Sequence, residues 1–169
     1  MEDKFIDPAT LTLEQLKPNR PKTGNDVSVV LWRLIRLVGM NHVLKGETIQ
    51  ITYLLGKQIG RMFKVNKVSD LKQLLLDMKV GVIEIVKETD DGVHVAFGEC
   101  LTCAGITPPL GRPICQLEVG LVAGALENIF SHSKVTGVET KCMGGLGDDV
   151  CLIECKIIPE KDGSGRPIK

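Results

Sequence analysis

The chain is 169 residues long, with 43% apolar and 25% charged residues, which fits one globular domain and leaves little room for a second core. Lys plus Arg and Asp plus Glu both number 21 and aromatics make up 4%, so there is neither a net positive field for phosphates nor a supply of rings for bases, and nucleic acid is not an expected partner. No run of about 18 uncharged apolar residues is present to span a bilayer, and segment 1–7 lacks the basic-then-apolar pattern of a secretory signal, so a cytoplasmic protein is expected.

Residues 1–25 hold Pro8, Pro18, Pro21 and Gly24 without a sustained period, and predict an extended N-terminal arm ahead of a domain spanning 26–158. From Asp26, the apolar positions Val27, Val30, Leu31, Leu34, Ile35 and Val38 recur at helical spacing, with Asn25 or Asp26 as cap and Gly39 as the stop. A second helix is predicted over 47–63, with Ile51, Leu54, Leu55, Ile59 and Met62 on one stripe. Gly56 and Gly60 lie on a neighbouring stripe, where another backbone can come close. Ser69 is placed to cap a third helix that buries Leu71, Leu74, Leu75 and Met78 and ends at Gly81.

The period then changes. Segments 82–87 and 93–97 alternate with period 2 and are joined through Asp90, Asp91 and Gly92, a hairpin signature. After a proline- and glycine-bearing loop over 100–112, Pro113 opens a fourth helix whose Ile114, Leu117, Leu121, Val122, Ala125 and Ile129 share a face. Strands 134–141 and 150–158, separated by the glycine-rich loop 142–149, form a second hairpin before a polar tail over 159–169. The whole predicts an α+β fold, an antiparallel sheet covered by helices. No phosphate-binding glycine signature, serine elbow or His-Glu-x-x-His occurs.

The six cysteines are Cys100, Cys103, Cys115, Cys142, Cys151 and Cys155. In a reducing compartment, such clustering points first to metal or redox chemistry. Cys151 and Cys155 stand four residues apart on one strand, roughly 13 Å, too far to share an ion. Cys151, beside the glycine loop and facing Cys142, is the better ligand; Cys155 reads as a small core residue. Cys115 falls in the first turn of the fourth helix, where the dipole favours a thiolate. Cys100 and Cys103 have the spacing of a metal knuckle, so spacing alone also permits a site built from Cys100, Cys103, Cys142 and Cys151.

The segment from Cys115 through Glu118-Val-Gly120 to Gly124, then Glu139-Thr-Lys-Cys142, then Gly147-Asp148 and Cys151, resembles the motif of the 4-vinyl reductase domain family. Gly56 and Gly60 resemble that family's glycine pair on its second helix. Residues 25–158 are covered, with one departure: Ile153 stands where an aromatic commonly follows the last cysteine. The resemblance implies a zinc ion held by Cys115, Glu139, Cys142 and Cys151, a four-ligand site with no open position, which clamps structure and performs no chemistry. Lys134 and Lys141 are the expected sources of compensating positive charge. It also implies a fold similar to TRAPP vesicle-tethering subunits and nitric-oxide sensor domains, with an apolar cavity between helices and sheet.

His42, His94 and His132 lack convergent partners and are assigned no role; Trp32 reads as core, and Glu118 as either an acceptor behind Cys115 or a solvent-facing residue. The leading expectation is a binding module for a hydrocarbon-like or aromatic small molecule, with a structural zinc and no catalytic residues, dimerising through its first two helices. The alternative is an enzyme or accessory factor in reduction of tetrapyrrole vinyl groups, for which a free Cys100 and Cys103 pair would be the redox candidate.

Overall fold

The computed structural model describes residues 8–89 and 91–160. Segment 1–7 of the expected arm, Asp90 of the hairpin turn and 161–169 of the expected tail lie outside the described residues. Among the described residues, no helix is long and apolar enough to cross a membrane.

The chain folds as an α+β unit. Four strands, β1 (Val82–Thr89), β2 (Gly92–Gly98), β3 (Ser133–Lys141) and β4 (Cys151–Pro159), form one antiparallel sheet among the described residues, in the order β1-β2-β4-β3. The period-2 alternation sets which side chains are inward. Val93, Val95 and Phe97 pair with Cys155, Ile153 and Cys151, while Val135 pairs with Ile157 and Glu139 with Ile153, and all of these are buried. The same alternation that builds the core therefore carries Cys151 and Glu139 to one face and one end of the sheet.

The helical layer comprises α1 (Val29–Arg33), a π-helical stretch Leu34–Gly39, α2 (Met40–Leu44), α3 (Thr48–Met62), α4 (Val68–Asp77), α5 (Gln116–Ile129) and the single turn α6 (Met143–Leu146). Every residue of α5 from Leu117 to Leu126 is buried, so this helix lies between the sheet and α3. Its contact with α3 is backbone against backbone. A Cβ on Gly56 or Gly60 would stand 2.1 or 2.2 Å from the carbonyl oxygens of Leu117 and Leu121, and one on Gly120 or Gly124 2.2 or 2.1 Å from those of Tyr53 and Lys57.

That crossing corrects the stripe expected for α3. Its buried residues are Thr48, Thr52, Gly56 and Gly60, whereas Leu54 and Leu55 are exposed. Bulky aliphatics at the crossing would hold the helices apart, and the smallest side chains win the packed face. Thr52 remains compatible because its hydroxyl donates to the Thr48 carbonyl at 2.7 Å.

Several expected helix ends also moved. Gly39 does not stop the first helix: the chain widens into i→i+5 bonding, with the Met40 N–H donating to the Ile35 carbonyl, and runs on to Leu44. The expected apolar stripe of Val27, Val30, Leu31, Leu34, Ile35 and Val38 faces solvent, and the buried residue of the π-helical stretch is Arg36. Helix α4 starts at Val68 after Lys67, so Ser69 lies inside it and is not its cap; it ends ahead of Lys79 in the left-handed region at φ 56°, not at Gly81, and Met78 is exposed. Pro113 and Ile114 precede α5, which makes Cys115 its N-cap rather than a first-turn residue.

Candidate metal centre

Three elements converge on one end of the sheet. Cys115 sits at the N-cap of α5, Glu139 near the end of β3, and Cys151 at the start of β4. Cys142 precedes α6, and its backbone N–H donates to Asp148 Oδ2 at 2.8 Å while its carbonyl accepts from Leu146 at 2.8 Å. The glycines of this turn permit its close approach. A Cβ on Gly145 would meet the Arg112 carbonyl oxygen at 2.1 Å and Cys142 Sγ at 2.8 Å, so only a hydrogen fits there.

The donor atoms of Cys115, Glu139, Cys142 and Cys151 all lie within 4.8 Å of one another. Cys115 Sγ is 3.8 Å from Cys142 Sγ and 4.0 Å from Cys151 Sγ. Tetrahedral zinc with Zn–S bonds of about 2.3 Å requires sulfur atoms about 3.8 Å apart, and these distances meet that requirement. Glu139 accepts the Cys115 N–H at Oε2 over 2.9 Å, and its Oε1 is buried with no partner. An anionic oxygen so placed, beside three buried thiols, fits a divalent cation; left alone it would carry an uncompensated desolvation cost.

Cys100 and Cys103 belong to the same cluster. They form a second compact group with Cys115 and Cys151, with Cys100 Sγ 3.5 Å from Cys115 Sγ and Cys103 Sγ 3.2 Å from Cys151 Sγ. The site suggested by spacing alone, Cys100 and Cys103 with Cys142 and Cys151, is not one of the compact groups, since Cys115 stands where Cys142 was placed. Cys155 lies apart in the core, 3% exposed, its thiol pushed up to about 12 by burial.

The cluster's electrostatics call for cations. Contacts with Cys100 and Cys103 first hold the Cys115 and Cys151 thiols high. Burial raises Glu139. Negative charge cannot spread over this many buried donors without a positive partner.

A buried cation near the cluster is Arg36, which sequence reading did not single out. It is 3% exposed and donates to the Ile114 carbonyl at 3.3 Å; burial pushes its guanidinium below the usual range, against the pull of Glu118, Cys115, Cys100 and Glu139. Its neighbour Arg33 ties the cysteine loop through the carbonyls of Leu101 at 3.0 Å and Ala104 at 2.7 Å. Lys134 and Lys141, expected in this role, are exposed. Glu118 is 1% exposed, accepts the Thr102 hydroxyl bond, and is pushed up to about 7 by burial, so the solvent-facing reading of it is set aside.

The larger cleft is elsewhere. About 850 Å³ in volume, it lies between segment 10–14 and helices α3 and α4, and includes Leu11, Leu13, Met62, Val65 and Leu74 in its walls, but no residue of the cysteine cluster. Beside the cluster, near Arg36 and Ile114, there is a space of only about 20 Å³. The layer between α5 and the sheet, where an apolar cavity was expected, holds the closely packed Val119, Val122, Leu126, Val95, Val135 and Ile153.

Residues 30–142 match the model of a family described as "Protein of unknown function (DUF2507)". The chain belongs to this family. Among relatives of this DUF2507 chain in Methanocaldococcus jannaschii, the uncharacterized protein MJ0150 is 30% identical over 154 residues, 86% of each chain. The uncharacterized protein MJ1642 is 28% identical over 138 residues, 82% of this chain and 83% of its own.

Solved structures share its fold. A vinyl-4-reductase family protein from Methanocaldococcus jannaschii is similar at TM-score 0.65 and 23% identity, over 81% of this chain and 85% of that one. The phenol-responsive sensory domain of the transcription activator PoxR, with phenol, is similar at TM-score 0.58 and 12% identity, over 78% and 75%. Subunit 3 of the trafficking protein particle complex from Naegleria fowleri, covalently bound to palmitic acid, is similar at TM-score 0.57 and 14% identity, over 76% and 94%. The resemblance to the 4-vinyl reductase domain family and the expected α+β fold both agree with these matches.

Proposed function

We propose that this DUF2507 protein is a cytoplasmic small-molecule-binding module in which a zinc ion, held by Cys115, Glu139, Cys142 and Cys151, serves structure. The observation that carries the zinc is the partnerless buried Oε1 of Glu139, set among thiols at tetrahedral spacing. Three thiolates and a carboxylate leave no open position for water or substrate. When bound, the ion cross-links the start of α5 to the β3–β4 loop and the end of the sheet.

The ligand is a hydrocarbon-like or aromatic molecule. What supports this is the company of the fold: one similar domain has phenol in its structure and another carries palmitic acid. The cleft of about 850 Å³ is the candidate seat, with Leu11, Leu13, Met62, Val65 and Leu74 as apolar wall and Gln58 and Gln73 as polar groups that orient. On this reading segment 10–14 of the arm completes a wall of the cleft. The exposed row of α1 and the π-helical stretch, from Val30 to Val38, is covered by a second copy.

Thermal melting of the zinc-loaded protein with phenol, an alkylphenol and a medium-chain fatty acid tests the ligand. At least one should raise the melting temperature, and Met62→Trp, which fills the cleft, should abolish that shift. No shift with any of them would count against the binding module.

A further inference from the structure

We infer that the cysteine cluster is a dinuclear centre, in which a second soft divalent ion is held by Cys100, Cys103, Cys115 and Cys151, sharing Cys115 and Cys151 with the first. The inference rests on the assignment of the first ion to Cys115, Glu139, Cys142 and Cys151. The two groups are each compact within 4.8 Å and have those two sulfurs in common. They are therefore two tetrahedra joined along the Cys115–Cys151 edge, whose length is 4.0 Å.

Both shared residues are suited to bridging. Thiolate sulfur has more than one lone pair; Cys115 reaches Cys100 of one group at 3.5 Å and Cys142 of the other at 3.8 Å, and Cys151 reaches Cys103 at 3.2 Å and the shared Cys115 at 4.0 Å. Cys100, Cys103, Cys115, Cys142 and Cys151 are all free and no more than 1% exposed, so every sulfur of the cluster is closed to water. Loading requires Cys103 to draw back from Cys151 by about half an ångström to reach tetrahedral spacing.

Charge does not oppose the filled state. One ion with three thiolates and Glu139 gives a net charge of −2, with Cys100 and Cys103 left as thiols. A second divalent ion displaces one proton from each of those thiols, so two charges enter and two protons leave. The centre stays at −2, and Arg36 lies beside it in either state. The donor set, sulfur-rich with one carboxylate, suits Zn(II) over harder cations.

Counting metal by native mass spectrometry on the full chain, purified with zinc, tests this. Two zinc ions per chain in the wild type, and one in Cys100→Ser/Cys103→Ser with the fold retained, is the expected result. Cobalt replacement adds a readout of bridging: the Co(II) electron paramagnetic resonance signal should grow with the first equivalent and shrink with the second, as bridged ions couple. One ion in both wild type and double variant, lost in Cys142→Ser, would overturn the second site and leave the first intact. One ion that survives Cys142→Ser but not the double variant would overturn both assignments, as would protein without metal or with labile sulfide and iron.

Discussion

Glu139 holds the N-cap of α5 with one oxygen and leaves the other free: its Oε2 accepts the Cys115 N–H at 2.9 Å, while its Oε1 is buried without a partner. The carboxylate thus positions one cysteine of the cluster and offers a donor to an ion beside it. Glu139→Gln keeps an acceptor for the Cys115 N–H but removes the anionic ligand. Zinc affinity, read by competition with a chromophoric chelator, should fall by at least about tenfold, with a lower melting temperature in the same variant.

The glycine crossing of α3 and α5 sets a second expectation. A methyl group on Gly60 would sit 2.2 Å from the Leu121 carbonyl oxygen, which is backbone and cannot rotate away. Gly60→Ala should cost about 3 kcal/mol or more in urea denaturation, because the helices must separate. Gly46→Ala, where a Cβ meets nothing within 4 Å, should change stability by about 0.5 kcal/mol or less.

Glu127 provides a test by pH. Burial opposes its charge, but Arg61 at 2.6 Å, the Val135 N–H at 2.9 Å and Lys57 at 2.9 Å outweigh it and hold the carboxyl below the usual range. A carboxylate held low adds stability that is present above the ordinary carboxylate pKa and is lost as the pH falls through the folded one. Glu127→Gln should therefore cost about 2 kcal/mol at neutral pH, and the gap from wild type should close as the pH drops below about 4.

The apolar row on α1 and the π-helical stretch leads to a prediction about assembly. Val30, Leu34 and Val38 are 67%, 53% and 61% exposed along one side of a continuous helix. Sedimentation velocity should find a dimer for the wild type and a monomer for Leu34→Glu/Val38→Glu, with unchanged secondary structure. A monomeric wild type would remove the homodimer from the account.

Much of this architecture could be read from the sequence, and the failures share a cause. Period-2 alternation in 93–97 and 150–158 placed the strands because a sheet with one buried face writes its pattern directly into the chain. Helical periodicity located α1 and α3 but assigned their faces wrongly, since it reports an apolar stripe and not what covers it: Thr52 and Gly56 took the packed face from Leu54 and Leu55. The motif around Cys115, Glu139, Cys142 and Cys151 named residues that the fold brings together. Arg36 was missed because an arginine in an amphipathic helix reads as a solvated charge; only the three-dimensional structure shows it turned inward. Cys100 and Cys103 were recognised as a pair, but sequence spacing could not tell that their partners are Cys115 and Cys151.

The most direct test of the central claim is to measure metal content and melting temperature together for wild type and Cys142→Ser, a change of one atom at a residue outside the Cys100–Cys103 group. The account predicts that Cys142→Ser holds one zinc ion fewer per chain than wild type and melts at a lower temperature. Equal zinc content and an unchanged melting temperature would contradict it.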